Sequence, residues 1–137
     1  MIRPPEHAVT IEGEVPFHHV DLLKVVWHGH YFVYLETART ALLRSVDLDN
    51  DELERLGYHS VVVDSQIRHV APLRYGDQFC CSAWFTQVDF SIRISYFLWN
   101  KRTGKRVAKA KMILAILNKS GELLLGTPDA IRTRLPF

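Results

Sequence analysis

In YFVYLETARTALLRSV, Tyr31 to Val46, the apolar residues Tyr31, Tyr34, Leu35, Ala38, Ala41, Leu42 and Val46 recur at steps of three and four, with Glu36, Arg39, Thr40 and Arg44 between them. That spacing predicts one amphipathic helix of about five turns. Outward from it the period changes. Towards the amino terminus, Val9, Ile11, Gly13, Val15 and Phe17 alternate with Thr10, Glu12 and Glu14, the pattern of a half-buried strand. Towards the carboxyl terminus, DELERL reads as a short connecting helix, capped by Asp49 or Asn50 and ended by Gly57 in a left-handed conformation. From Ser60 to Leu125 strand runs and turns follow one another: SVVVDSQIRHV, the turn APLRYGD, QFCCSAWFTQV, SIRISYFLW, the turn NKRTGK, RVAKAKMILAIL, the turn NKSG, and ELLL. The turns predict antiparallel neighbours. Thr127, Pro128 and Asp129 then read as the start of a short closing helix, with Thr127 as its cap and Pro128 at the first helical position.

A strand, a long helix and a run of antiparallel strands pack most simply as a single α+β domain over residues 1–137, a curved antiparallel sheet of about five strands wrapped around one long central helix. Met112 to Leu117 is apolar at every position, so both faces of that strand need cover, one from the helix and one from neighbouring protein. At 137 residues, with 47% hydrophobic and 23% charged residues, the chain has the composition of a folded domain with one core. A net charge of +2, with basic and acidic residues interspersed, argues against a nucleic-acid surface. No window approaches a membrane span, and the opening MIRPPEHAVT lacks the apolar core of a signal peptide. Cys80 and Cys81 are adjacent, a spacing that disfavours a bridge between them, and a cytoplasmic location is expected.

The stretch FHHVDLLKVVWHGHYFVYLETART, Phe17 to Thr40, resembles the signature of the 4-hydroxybenzoyl-CoA thioesterase family and its acyl-CoA thioesterase relatives. In that signature a strand ends in an Asp, a tight turn follows, and a Val-Val-aromatic-His or Val-Val-aromatic-Tyr run enters a helix with aromatics and a Glu-x-x-Arg. Asp21, the run Val25-Val26-Trp27-His28, Tyr31 and the pair Glu36 and Arg39 stand at those positions. The turn from Pro72 to Asp77 is also of the family type. The resemblance implies a hotdog fold, hydrolysis of an acyl-CoA or acyl-carrier-protein thioester, no cofactor, and a homodimer or homotetramer with its site at the subunit interface. It makes Asp21 the catalytic carboxylate and the backbone N–H of His28, helped by that of Gly29, the oxyanion donor. Trp27, Tyr31 and Lys24 are the expected substrate contacts. Two positions depart from the pattern: Lys24 stands where most relatives carry Gly, so the turn is expected to be rebuilt, and Gly29-His30 replaces a small-residue and Asn pair.

The reaction itself asks for these groups. Thioester hydrolysis needs a base or nucleophile near the carbonyl carbon and donors aimed at the developing oxyanion. A carboxylate seven residues before a helix start supplies the first and free N–H groups at that start the second, and Gly29, lacking a side chain, would admit a carbonyl closely. Simpler readings stand beside these. An Asp before a helix is often a turn residue, His28 and His30 can be structural, Lys24 can be solvated, Glu36 with Arg39 can be an exposed helix pair, and Asp64 is read as structural. His18, His19, His28, His30 and Glu36 suggest a metal, yet a His-x-His that opens a helix points its rings apart, so none is expected. Hotdog dehydratases, hydratases and non-catalytic acyl binders remain the alternatives. Arg68, Arg74, Arg93, Arg102, Lys105 and Arg106 are available for coenzyme A phosphates, and Trp27, Phe85, Phe90 and Trp99 for an acyl pocket.

Overall fold

A computed structural model of the chain describes residues 4–136; Met1 to Arg3, the start of the opening stretch read above, and Phe137 lie outside it. Five strands form one sheet: β1 (Val9–Glu14), β2 (Tyr58–His69), β3 (Gln78–Gln87), β4 (Ile92–Asn100) and β5 (Arg106–Asn118). Their order is β1-β3-β4-β5-β2, every pair antiparallel. The helices are α1 (Tyr31–Ser45), α2 (Asn50–Leu56) and α3 (Asp129–Arg132), with short 3₁₀ turns at Phe17–His19 and His28–His30.

The apolar stripe of the sequence becomes the buried face of α1, which places Tyr31, Tyr34, Leu35, Ala38, Leu42 and Leu43 in the core. Opposite lie Cys81, Ala83 and Phe85 of β3, Ile94, Tyr96 and Leu98 of β4, and Ala108, Ala110, Met112 and Leu114 of β5, all buried. Register makes them one surface, since Ile94 faces Met112, Tyr96 faces Ala110 and Leu98 faces Ala108 across the β4–β5 ladder. Small alanines across from large side chains leave room for the sheet to curve around the helix. The curved sheet holding a long helix is the expected hotdog arrangement. α2 begins at its cap Asp49, whose carboxylate accepts the N–H of Asn50 at 2.8 Å and the Nε–H of Arg44 at 2.8 Å, and it ends at Gly57 with φ 91°. On β5, Met112, Leu114 and Ile116 are buried, whereas Ile113, Ala115 and Leu117 of the outer face are half-buried.

Three expectations need correction. The turn APLRYGD does not close a hairpin between β2 and β3, because β2 pairs with β5 and β3 with β1 and β4; this connector instead pairs with the segment before α1. ELLL is not a strand. It is held to the end of β5 by a bridge from Leu117 to Leu123 and by the bonds from Asn118 N–H to Glu122 O and from Leu124 N–H to Ile116 O, since β4 takes over that edge of β5 from the Ile92–Leu114 pair onward. Thr127 does not cap α3: Pro128 holds the cap position and the Thr127 Oγ1 is buried without a hydrogen bond.

Candidate active site

The segment between β1 and α1 folds into a miniature hairpin. Val20 bridges Val26, the N–H of Asp21 donates to Val25 O at 3.0 Å, and the N–H of Lys24 donates to Asp21 O at 2.9 Å. One carboxylate oxygen of Asp21 accepts the Leu23 N–H at 2.8 Å, which holds the side chain in a defined place on the turn. Lys24 adopts φ 65°, the left-handed region that favours glycine, so the tight turn is kept rather than rebuilt and the side chain is tolerated in a glycine conformation. The Lys24 ammonium makes no ion pair with Asp21 among the described residues. On its other side the hairpin is fixed to the connector, through a Val25–Arg74 bridge and a 2.8 Å bond from Val26 N–H to Leu73 O.

From Trp27 the chain makes the 3₁₀ turn at His28–His30 and runs straight into α1. The N–H groups of His28 and Gly29 have no hydrogen-bond acceptor among the described residues, as the first donors of a helix must unless something outside supplies one. A carbonyl oxygen carrying developing charge is such an acceptor. Gly29 has a second reason to lack a side chain, because a Cβ there would lie 2.2 Å from the Trp27 ring, whose indole lies over it. Tyr31 is buried at 3% exposure, and its hydroxyl accepts the Leu73 N–H at 3.2 Å, so it braces the connector from inside. Burial raises its phenol pKa above the ordinary value.

A recess of about 250 Å³ opens here, lined by Val26, His28, Tyr31, His69, Val70, Ala71 and Pro72. His28 and Tyr31 are thus brought together, while Trp27 and Gly29 pack on each other and Asp21 and Lys24 occupy the adjoining turn. His69, whose ring packs 5.0 Å from that of Tyr31, was not among the sequence candidates; it ends β2, and no local spacing marks it. A larger cavity of about 530 Å³, with Arg68, Trp84, Phe97, Lys109 and Lys111 in its walls, is lined by β2, β3, β4 and β5 and shares no lining residue with this recess. Of the aromatics considered for an acyl pocket, Phe85 is core at 2% exposure and Phe90 stands 79% exposed near Leu123 and Leu125. Exposed Glu36 pairs at 3.5 Å with a half-buried Arg39, whose guanidinium also donates to the Met112 sulfur, and Asp64 is exposed and accepts from Gln66 at 3.3 Å.

The histidines serve one another. His19 stacks on His30 with centroids 4.3 Å apart, and its Nδ1 lies 2.8 Å from the Tyr34 hydroxyl. Partial burial, His30 and then His18 hold the His19 imidazole below its ordinary pKa.

A curved five-stranded antiparallel sheet around one long helix is the hotdog fold. The chain belongs to the Thioesterase superfamily, whose family model matches residues 23–107. That match begins two residues after Asp21. A putative acyl-CoA thioesterase of Bacillus subtilis, YneP, is 30% identical over 95 residues, 69% of each chain. Among solved structures, a 1,4-dihydroxy-2-naphthoyl-CoA thioesterase from Synechocystis superposes with TM-score 0.82 at 18% identity, covering 93% of this chain and 95% of that one. A Staphylococcus aureus protein determined in complex with CoA superposes with TM-score 0.83 at 15% identity, over 95% and 87% of the two chains.

Proposed function

We propose that this chain hydrolyses an acyl-CoA thioester to the free acid and coenzyme A, with Asp21 as the reacting carboxylate and the N–H groups of His28 and Gly29 as the oxyanion donors. The observation that carries the reading is that pair of donors without acceptors at the head of α1, beside a recess walled by His28, Tyr31 and His69. The thioester carbonyl oxygen sits against the donors. Asp21 then either takes the proton of the attacking water or attacks the carbonyl carbon itself; in both cases the thiolate leaves once the negative charge returns from the oxygen, and in the second case water then cleaves the Asp21 acyl anhydride to the free acid and restores the carboxylate. Trp27 and Tyr31 bound the acyl side. Lys24, on the turn, and Arg74, on the connector bridged to the neighbouring Val25, offer exposed cations to the coenzyme phosphates. The names of the relatives and the CoA-bound structural neighbour support coenzyme A over a carrier protein. Two free buried cysteines fit a reducing, cytoplasmic compartment.

Thiol release over a panel of acyl-CoA and acyl-carrier-protein thioesters tests the reading. We expect turnover with at least one acyl-CoA, and a loss of roughly two to four orders of magnitude in Asp21→Asn, which keeps the shape of the side chain. Tight thioester binding without thiol release would make the chain an acyl binder, and near-native turnover by Asp21→Asn would remove Asp21 from the chemistry.

A further inference from the structure

The imidazole of His30 takes no part in the chemistry above, yet its contacts all converge on the elements that do. Its Nδ1 lies 3.2 Å from the carbonyl oxygen of His19, its ring stacks on the His19 ring at an interplanar angle of 16°, and the Trp27 indole meets it edge-on with centroids 5.4 Å apart. The same His19 carbonyl accepts the Trp27 N–H at 2.9 Å. A carbonyl oxygen only accepts, so His30 Nδ1 carries the proton. Trp27 and His30 flank His28 and Gly29 in the chain. Both ends of the two-residue segment that bears the open N–H groups are therefore tied to one oxygen atom, which stands two residues before Asp21.

We propose that His30 is a positioning residue, whose Nδ1–H bond to the His19 carbonyl sets the spacing between the donors at His28 and Gly29 and the carboxylate turn at Asp21. This rests on the roles given to those residues above. Without the bond the 3₁₀ turn keeps its Trp27 N–H tether to His19 and its continuation into α1 but loses the hold on its far side, so the donors are freer to drift from where the oxyanion forms. Misplacement of about 1 Å costs on the order of 10²-fold in rate, and a group that acts only on transition-state alignment lowers kcat more than it raises KM. An Asn side chain carries its Nδ2 one bond beyond Cγ, as His carries its Nδ1, and so presents a donor at the same reach. A Phe side chain keeps a ring for stacking and lacks the donor.

The test compares His30→Asn and His30→Phe with the wild-type enzyme in steady-state acyl-CoA hydrolysis, with Asp21→Asn measured alongside. We expect His30→Phe to lose roughly 10- to 100-fold in kcat with KM changed by less than about threefold, and His30→Asn to stay within about fivefold of wild type. An active His30→Phe, a His30→Asn as impaired as His30→Phe, or a loss confined to KM each overturns the proposal. If Asp21→Asn is inactive while His30→Phe is active, the positioning role alone fails; if Asp21→Asn is active, the reading beneath it fails. ¹⁵N NMR of the wild-type imidazole at pH 8 is independent of any variant. A protonated Nδ1 on His30 supports the proposal, and the opposite tautomer overturns it.

Discussion

Lys24 holds φ 65°, and for a residue with a Cβ that conformation costs about 1–2 kcal/mol, only part of which glycine gives back through its freer unfolded chain. Lys24→Gly is therefore predicted to raise stability by about 0.5–1 kcal/mol in urea titration. Because the ammonium makes no ion pair with Asp21 among the described residues, the acidic limb of kcat/KM should stay in place in the same variant. Movement of that limb to higher pH would show that the charge tunes the carboxylate. His19 supplies a pH dependence of a different kind. Its folded-state pKa lies below the ordinary value of 6.5, so the unfolded chain binds the proton more readily, and stability is lost as pH falls through 6.5 towards the lower folded value. The melting temperature should drop between pH 7.5 and 5, and His19→Gln should flatten that slope; an unchanged slope would assign the effect to other groups. The candidate site was legible to the extent that it lies in one contiguous segment: the turn at Asp21 and the helix entry at His28 are written side by side. The recess wall at His69 and Val70 comes from the far end of β2, where a histidine after strand residues carries no signal until the fold brings it against Tyr31.

At the level of elements, α1 was the most readable because period and burial largely agree: five of the residues the spacing marks fill the core, Leu43 joins them, and Ala41 is half-buried. The turns were less informative. Pro72 and Gly76 announce that the chain reverses, but not which strand it will join, and strand order is decided by which apolar faces meet around the helix. The connector after β2 instead serves as a scaffold for the site, held by the Leu73 N–H on the Tyr31 hydroxyl and the Leu73 carbonyl under Val26. Tyr31→Phe removes the acceptor and leaves a buried N–H unpaired, which should cost about 1–3 kcal/mol in denaturant stability. If Tyr31 only braces the connector, KM for the acyl-CoA substrate should change little. A large rise in KM with stability intact would instead place its hydroxyl on the substrate. Leu42, 2% exposed at the centre of the α1 stripe, reports on packing alone, and Leu42→Ala should cost about 2–5 kcal/mol.

For the molecule as a whole, the unfinished surface is the free edge of β2. This strand is twelve residues long, pairs only with β5, and leaves Val61, Val62 and Val63 at 40%, 39% and 57% exposure. Such an edge presents unpaired N–H and C=O groups with apolar side chains, without proline to blunt it, which is a surface that pairs with another strand. A second copy supplies an identical strand, and a two-fold axis lets each edge satisfy the other in one antiparallel ladder that joins two five-stranded sheets. The half-buried outer face of β5, at Ile113, Ala115 and Leu117, runs beside that edge. His69 ends the same strand and walls the recess, so pairing along β2 would bring a partner up to the site, and assembly is predicted to be coupled to turnover. The mass in solution by light scattering at micromolar concentration should then be at least twice 15.8 kDa. Val61→Lys with Val63→Lys places like charges along the edge without touching the protomer core, and should yield a folded monomer with reduced thioester hydrolysis. A wild-type monomer that turns over thioesters at full rate would refute the coupling, and a variant that stays dimeric would refute β2 as the interface.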